Sequence, residues 1–163
     1  MMLTAGLVLG WSGAAGAASL PARAPGLWQS TTTVRDASGQ ALPNAVNVVT
    51  VSCVDALTDL KFFTSGDSAC TSLEISGSGN TYKIIGSCAQ AGKPVNVDET
   101  LVYASPQAVT LTAKLDSPMG PVTVTSDLQW QGDCLAGMVP GDEGSIVNGA
   151  FSKADNINDP DNQ

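Results

Sequence analysis

Cysteine is the reactive residue type that this sequence spaces most distinctively. Cys53, Cys70, Cys88 and Cys134 stand 17, 18 and 46 residues apart. A four-thiolate zinc site usually draws on two close Cys-x-x-Cys pairs. The wide gaps here do not fit, whereas an even cysteine count in an exported chain reads as two disulfides. Histidine is absent from all 163 residues. That removes Ser-His-Asp and Cys-His catalysis, imidazole general bases and every histidine-containing metal site. No nucleophile elbow, phosphate-binding loop or dinucleotide fingerprint occurs in a suitable context, and no Ser-x-x-Lys spacing appears. Asp98 and Glu99 are neighbours, but on a strand their side chains leave on opposite faces. The sequence offers no catalytic residue, no metal ligand and no cofactor site.

Three residues remain as candidate ligand contacts. Glu99 falls between Val97 and Leu101 on the apolar side of a strand, where an unpaired carboxylate is costly. It is either a polar anchor inside a ligand cavity or a residue at a bulge or rim open to water. Trp28 and Trp130 lie in the first and seventh expected strands, and they either line a pocket mouth or fill the core and seal a sheet seam. The acidic C-terminal segment carries spaced oxygen donors. It lacks the calcium-loop pattern, because Ile157 occupies the third position after Asp155 and no glycine follows. A net charge of −8 repels phosphates and anionic lipid heads, which argues against nucleic-acid or membrane-surface partners.

The positioning elements follow from composition and periodicity. Charged residues make up 13% of the chain and aromatics 5%, and Val, Thr, Ser, Ala and Gly fill the remainder, a strand-and-turn balance. Residues 1–18 read as a signal peptide. An apolar run from Leu3 to Leu9 precedes small residues ending Ala15-Gly16-Ala17, with cleavage expected after Ala17 or Ala18. No basic residue precedes Arg23, and no cysteine lies near the cleavage point for lipid attachment. The run is too short to span a bilayer comfortably, so no membrane span is expected after processing. Residues 19–140 read as one β domain with two disulfides. Residues 141–163 read as an acidic, disordered tail.

Period-two alternation marks strands at 26–35, 45–53, 71–77, 80–88, 94–104, 107–117 and 121–131. Between the second and third, Leu57, Leu60 and Phe63 recur at helical spacing behind Asp55, a capping residue, so one short helix is expected. A two-residue loop at Ser78-Gly79 sets Leu73 opposite Ile84 and Glu74 opposite Lys83. Parity gathers Val97, Leu101, Tyr103, Val109, Leu111, Leu115, Val122, Val124, Leu128 and Trp130 on one apolar face. The expected fold is an all-β antiparallel meander of about seven strands, a strongly curved sheet or partly closed barrel.

Several of these pieces together resemble a known family. They are Pro25-Gly-Leu-Trp28, Val51-Ser-Cys53-Val54, Cys70 leading to Ser76-Gly-Ser-Gly-Asn80-Thr81, a strand closing on Cys88, and Trp130-Gln-Gly-Asp-Cys134. In order and spacing this resembles the bacterial envelope family called domain of unknown function 3617. The resemblance implies an exported, mostly periplasmic β protein and supplies no activity, cofactor or catalytic residue.

Four cysteines allow three pairings. The meander favours Cys70 with Cys88, across the open end of one hairpin, and Cys53 with Cys134, joining early strands to late ones. The first bond requires a bulge, because the expected register sets Cys70 opposite Ser87. The rival, Cys53 with Cys70, clips only the loop and helix between them and leaves Cys88 with Cys134. For function, the reading is a periplasmic or secreted, non-enzymatic protein holding a small apolar or lipid-like ligand. The alternative is an interaction module that pairs with another envelope protein through a sheet edge.

Overall fold

In the computed structural model, residues 18–64, 70–90, 93–117 and 120–159 are described. The signal-peptide reading falls on 1–17 and lies outside them. Nine strands form one antiparallel sheet among these residues. They are β1 (Gly26–Asp36), β2 (Val48–Val54), β3 (Cys70–Ser78), β4 (Thr81–Gln90), β5 (Lys93–Ser105), β6 (Ala108–Ser117), β7 (Gly120–Gly132), β8 (Asp142–Val147) and β9 (Ala150–Asn156). The one helix among the described residues, α1 (Lys61–Thr64), is a single turn. Asp55 caps the turn before it, its Oδ1 accepting the N–H groups of Leu57 at 3.0 Å and Thr58 at 2.9 Å. Only Phe63 of the expected apolar triplet is buried, while Leu57 is exposed.

The order across the sheet is β3-β4-β5-β6-β7-β1-β2-β8-β9. The all-β antiparallel class is as expected, but the sheet is not closed and the strands are not one meander. β3 to β7 follow sequence order. β1 pairs with β7 from Leu27 to Asp36, β2 lies between β1 and β8 rather than beside β3, and the α1 connection carries the chain from β2 to the far edge.

Two expectations are corrected. The segment after Gly141 is not a disordered tail up to residue 159: it forms the β8–β9 hairpin. The turn is Asn148-Gly149, with φ of 52° and 80°, the left-handed pair that a two-residue hairpin loop demands. Order there also depends on Asp142, whose Oδ1 accepts Asn156 Nδ2 and Lys153 Nζ, each at 2.8 Å. The β3–β4 register is shifted. Gly79 (φ 65°) occupies the first central position of the turn, so the loop is Gly79-Asn80 and Ser78 pairs with Thr81. Ile75 therefore faces Ile84, and Lys83 faces Ser76 rather than Glu74. Lys83 reaches Asp98 instead, at 3.2 Å on the outer face.

Parity still sorts the faces as expected. One inner row runs Thr32–Ser126–Leu111–Leu101–Tyr82, and the next runs Val34–Val124–Ala113–Glu99–Ile84. Trp28, Val54, Phe63, Ile84, Val97, Leu101, Tyr103, Val109 and Leu128 form the buried core on this face. Leu20, Ala24 and Phe62 close over it from the entering segment and α1. Cys53 and Cys134 are disulfide-bonded across 81 residues. Cys70 and Cys88 are backbone partners with an irregularity between Cys70 and Ser72, the bulge that their pairing requires. Their side chains lie outside the described residues.

Candidate functional site

Two tryptophan indoles fix the chain as it enters the sheet. Trp28 and Trp130 are partners across β1 and β7. Trp28 Nε1 donates to the Ala24 carbonyl at 2.8 Å, and Trp130 Nε1 donates to the Pro25 carbonyl at 2.9 Å. The Ala24 N–H donates to the Pro106 carbonyl at 2.8 Å. The segment is thus pinned from both sides, which sets the preceding residue, Arg23, over the inner face. Its side chain is almost fully buried. Arg23 Nε donates to Asp59 Oδ1 at 2.6 Å, and its own N–H donates to Asp59 Oδ2 at 2.9 Å. The guanidinium carbon lies 4.3 Å from the Phe63 ring centroid, 4.9 Å from Trp28 and 5.8 Å from Phe62. A desolvated cation is tolerated here because a carboxylate and three ring faces surround it.

Beside this cluster the inner face leaves a pocket of ≈ 220 Å³. Its roof is Arg23, Phe62 and Phe63, and Leu111, Val124 and Leu128 supply apolar floor. The rest of the floor is hydroxyl-bearing: Ser30 and Thr32 of β1, Thr50 and Ser52 of β2, and Ser126 of β7. The Thr32 and Ser126 hydroxyls are bonded to each other at 2.7 Å. Glu143 of β8, paired with Ser52, forms the end wall. Burial pushes its carboxyl above the usual range, Asp155 adds to the push, and Arg23 opposes it. The arrangement can enclose an apolar body and offer hydroxyl partners along one side.

The residues singled out from sequence fall elsewhere. Trp28 is fully buried in the core, Trp130 is half-buried over the entering segment, and neither lines the pocket. Glu99 pairs regularly with Ile84 and Ala113, so no bulge releases it. It stands three rows from the tryptophans and outside the pocket. Its Oε2 is buried without a hydrogen-bond partner, and burial raises its pKa from 4.5 to about 7. Asp98, its neighbour, faces outward. Sequence reasoning missed Arg23, Asp59 and Glu143. The available signal was the pair of flanking features, Arg23 two positions before Pro25-Gly26-Leu27-Trp28 and Asp59 within the capped segment.

Among the described residues no group of three His, Cys, Asp or Glu side chains is placed to hold a metal ion, and no helix is long and apolar enough to cross a membrane. What the fold and pocket define is an open, disulfide-linked, all-β sheet domain with a small mixed cavity under its entering segment. The chain belongs to the family described as Protein of unknown function (DUF3617), which matches residues 23–134. The match begins at the buried guanidinium and ends at the second cysteine of the disulfide, so β8, β9 and Glu143 lie beyond it. No curated protein and no solved structure matches the chain.

Proposed function

We propose that this protein is exported to the periplasm and acts there as a non-catalytic binding protein for a small ligand with an apolar body and a hydroxyl- or amide-bearing side. The observation that carries the reading is the inner-face pocket, with Phe62 and Phe63 in its roof over a floor where Leu111, Val124 and Leu128 stand beside five hydroxyl-bearing residues. A disulfide joining residues 53 and 134 supports an oxidising compartment. The two carboxyls that burial raises, Glu99 and Glu143, stand on β5 and β8 with four strands between them. Such separation supports binding rather than paired-carboxylate chemistry. The pocket's volume suits a ligand smaller than a drug-sized molecule, since common sites span roughly 300–1,000 Å³.

Native mass spectrometry of protein taken from a periplasmic extract tests both parts. The mature chain is expected to begin at Ala18 or Ser19 and to carry one added mass. Ser126→Leu, which fills the pocket, is expected to abolish that mass while keeping the fold. A bare chain, or an added mass that persists in the filled variant, overturns the proposal.

A further inference from the structure

β2 and β8 meet for only two residue pairs, Val51 with Gly144 and Ser52 with Glu143. Continued register would set Thr50 against Ser145, Val49 against Ile146 and Val48 against Val147, but these pairs are not made. β8 instead turns onto β9, through an irregularity between Glu143 and Gly144 that leaves Ala154 as the extra residue. Glycine is required at the branch. A Cβ on Gly144 would collide with the Ser152 carbonyl oxygen and stand 2.8 Å from the Phe151 ring. The strands therefore diverge into a fork, and a space of ≈ 370 Å³ at its apex is lined by Val48–Thr50 of β2, Glu143–Ser145 of β8, and Ala154 and Asp155 of β9.

Among the described residues, each wall of the fork is half a strand paired with no neighbour on that side, about 10 Å deep for three residues. Val48, Val49, Ile146 and Val147 are 42%, 48%, 45% and 51% exposed there. Unpaired strand edges with β-branched side chains are templates for another strand. The outermost edges are less available. β3 carries the exposed Glu74, and β9 carries Lys153 and Asp155, the kind of charge that blunts an edge.

We propose that the β2–β8 fork is a strand-addition site for an extended, basic peptide segment of a partner protein. Apolar β-branched residues of that segment would lie at one parity, and lysine or arginine at the other. Charge selects the basic partner. Glu143 lines the apex of the fork and offers a carboxylate to an incoming cation, while Lys153 beside it on β9 is engaged with Asp142 at 2.8 Å. The chain as a whole carries −8. Alternate side chains of an inserted strand point to the inner face, toward Thr50 and Glu143, which also border the small-ligand pocket. The two sites are thus adjacent, but this one takes main chain.

A phage-displayed random octapeptide library, panned on the folded full chain, tests the site. Enrichment of Lys or Arg alternating with Val, Ile, Thr or Tyr is expected. The synthetic peptide of highest enrichment should slow amide exchange at Val48–Thr50 and Ser145–Val147. Its affinity, by fluorescence anisotropy, should fall about tenfold in Glu143→Gln, a change of about 1.4 kcal/mol, and further at high salt. Val49→Lys should abolish binding with an unchanged circular-dichroism spectrum. No enrichment over Val49→Lys, equal affinity for Glu143→Gln, or protection confined to β3 or β9 overturns the proposal. So does a concentration-dependent dimer that Val49→Lys abolishes, which would assign the fork to a second copy.

Discussion

Arg23 and Asp59, 36 positions apart in the chain, close a 2.6 Å ion pair beneath the rings of Trp28, Phe62 and Phe63. The pair ties the entering segment to the turn before α1, and these are the two pieces that roof the inner face. It is the long-range contact on which the pocket's shape depends.

Asp59→Asn leaves the guanidinium buried without its counter-charge, since the Arg23 side chain is 1% exposed and Asp59 15%. Breaking a buried pair from one side costs about 3–5 kcal/mol. The double variant Arg23→Met, Asp59→Leu removes both charges and is expected to be more stable than either single one. Urea midpoints of the three variants give the comparison. Equal losses in all three would show that the rings, and not the charge pair, hold the roof.

Glu99 makes stability depend on pH in a direction opposite to most carboxylates. Its native pKa of about 7 lies above the ordinary 4.5. Between these values the native state holds more protons than the unfolded chain, so stability falls as pH rises from about 4.5 to about 7. The full shift corresponds to at most about 3–4 kcal/mol. Glu99→Gln should flatten most of this slope and raise the urea midpoint at pH 8 more than at pH 5. A midpoint in the parent protein that is constant across this range would contradict the assignment.

What the sequence displays, and what it hides, divides by distance along the chain. Alternation from Val97 to Trp130 is a local pattern, and the inner rows through Leu101, Leu111 and Leu128 follow from parity alone. The pairing of β1 with β7 has no local signal, because Trp28 and Trp130 are ordinary strand residues until the chain brings them together. The Gly79 turn misled by one position. Glycine serves at either central position of a tight hairpin, and choosing the other displaced Leu73 from Ile84 to Gly86. In the last segment, acidity suggested solvation, although Asn148-Gly149 announced a hairpin. The site proved least legible. Arg23 and Asp59 carry no local signal of burial, and only packing shows Arg23 buried with Asp59 against it.

The disulfide between Cys53 and Cys134 encloses 81 residues of sequence and fastens the end of β2 to the segment after β7. In the chain-entropy model a loop of that size contributes about 4–5 kcal/mol. Cys53→Ala with Cys134→Ala is expected to lose most of that, measured by denaturation without reductant. The backbone pairing of Cys70 with Cys88 places the remaining two within reach of a second bond, given suitable side-chain geometry. Non-reducing proteolytic mapping should return a peptide pair containing Cys70 and Cys88. A peptide pair joining Cys53 to Cys70 would contradict both expectations.

Tyr103 closes the set. Its hydroxyl is buried on the inner face without a hydrogen-bond partner, and burial, with Asp59 adding to it, pushes its ionisation well above the ordinary tyrosine value. The ring itself is held, edge-on to Tyr82 at 5.8 Å between centroids. A hydroxyl that left water and found no partner costs roughly 1–3 kcal/mol, whereas the ring contact depends only on the aromatic carbons. Tyr103→Phe keeps the ring and removes the unpaired oxygen, so it should stabilise the fold by about 1 kcal/mol. Tyr103→Leu loses the edge contact and much of the ring volume and should destabilise it by about 1–3 kcal/mol. Thermal or urea unfolding of both variants distinguishes the two effects. A loss of stability in Tyr103→Phe would mean that the hydroxyl has a partner in solution, with bound water between it and the Arg23–Asp59 pair as the first place to look.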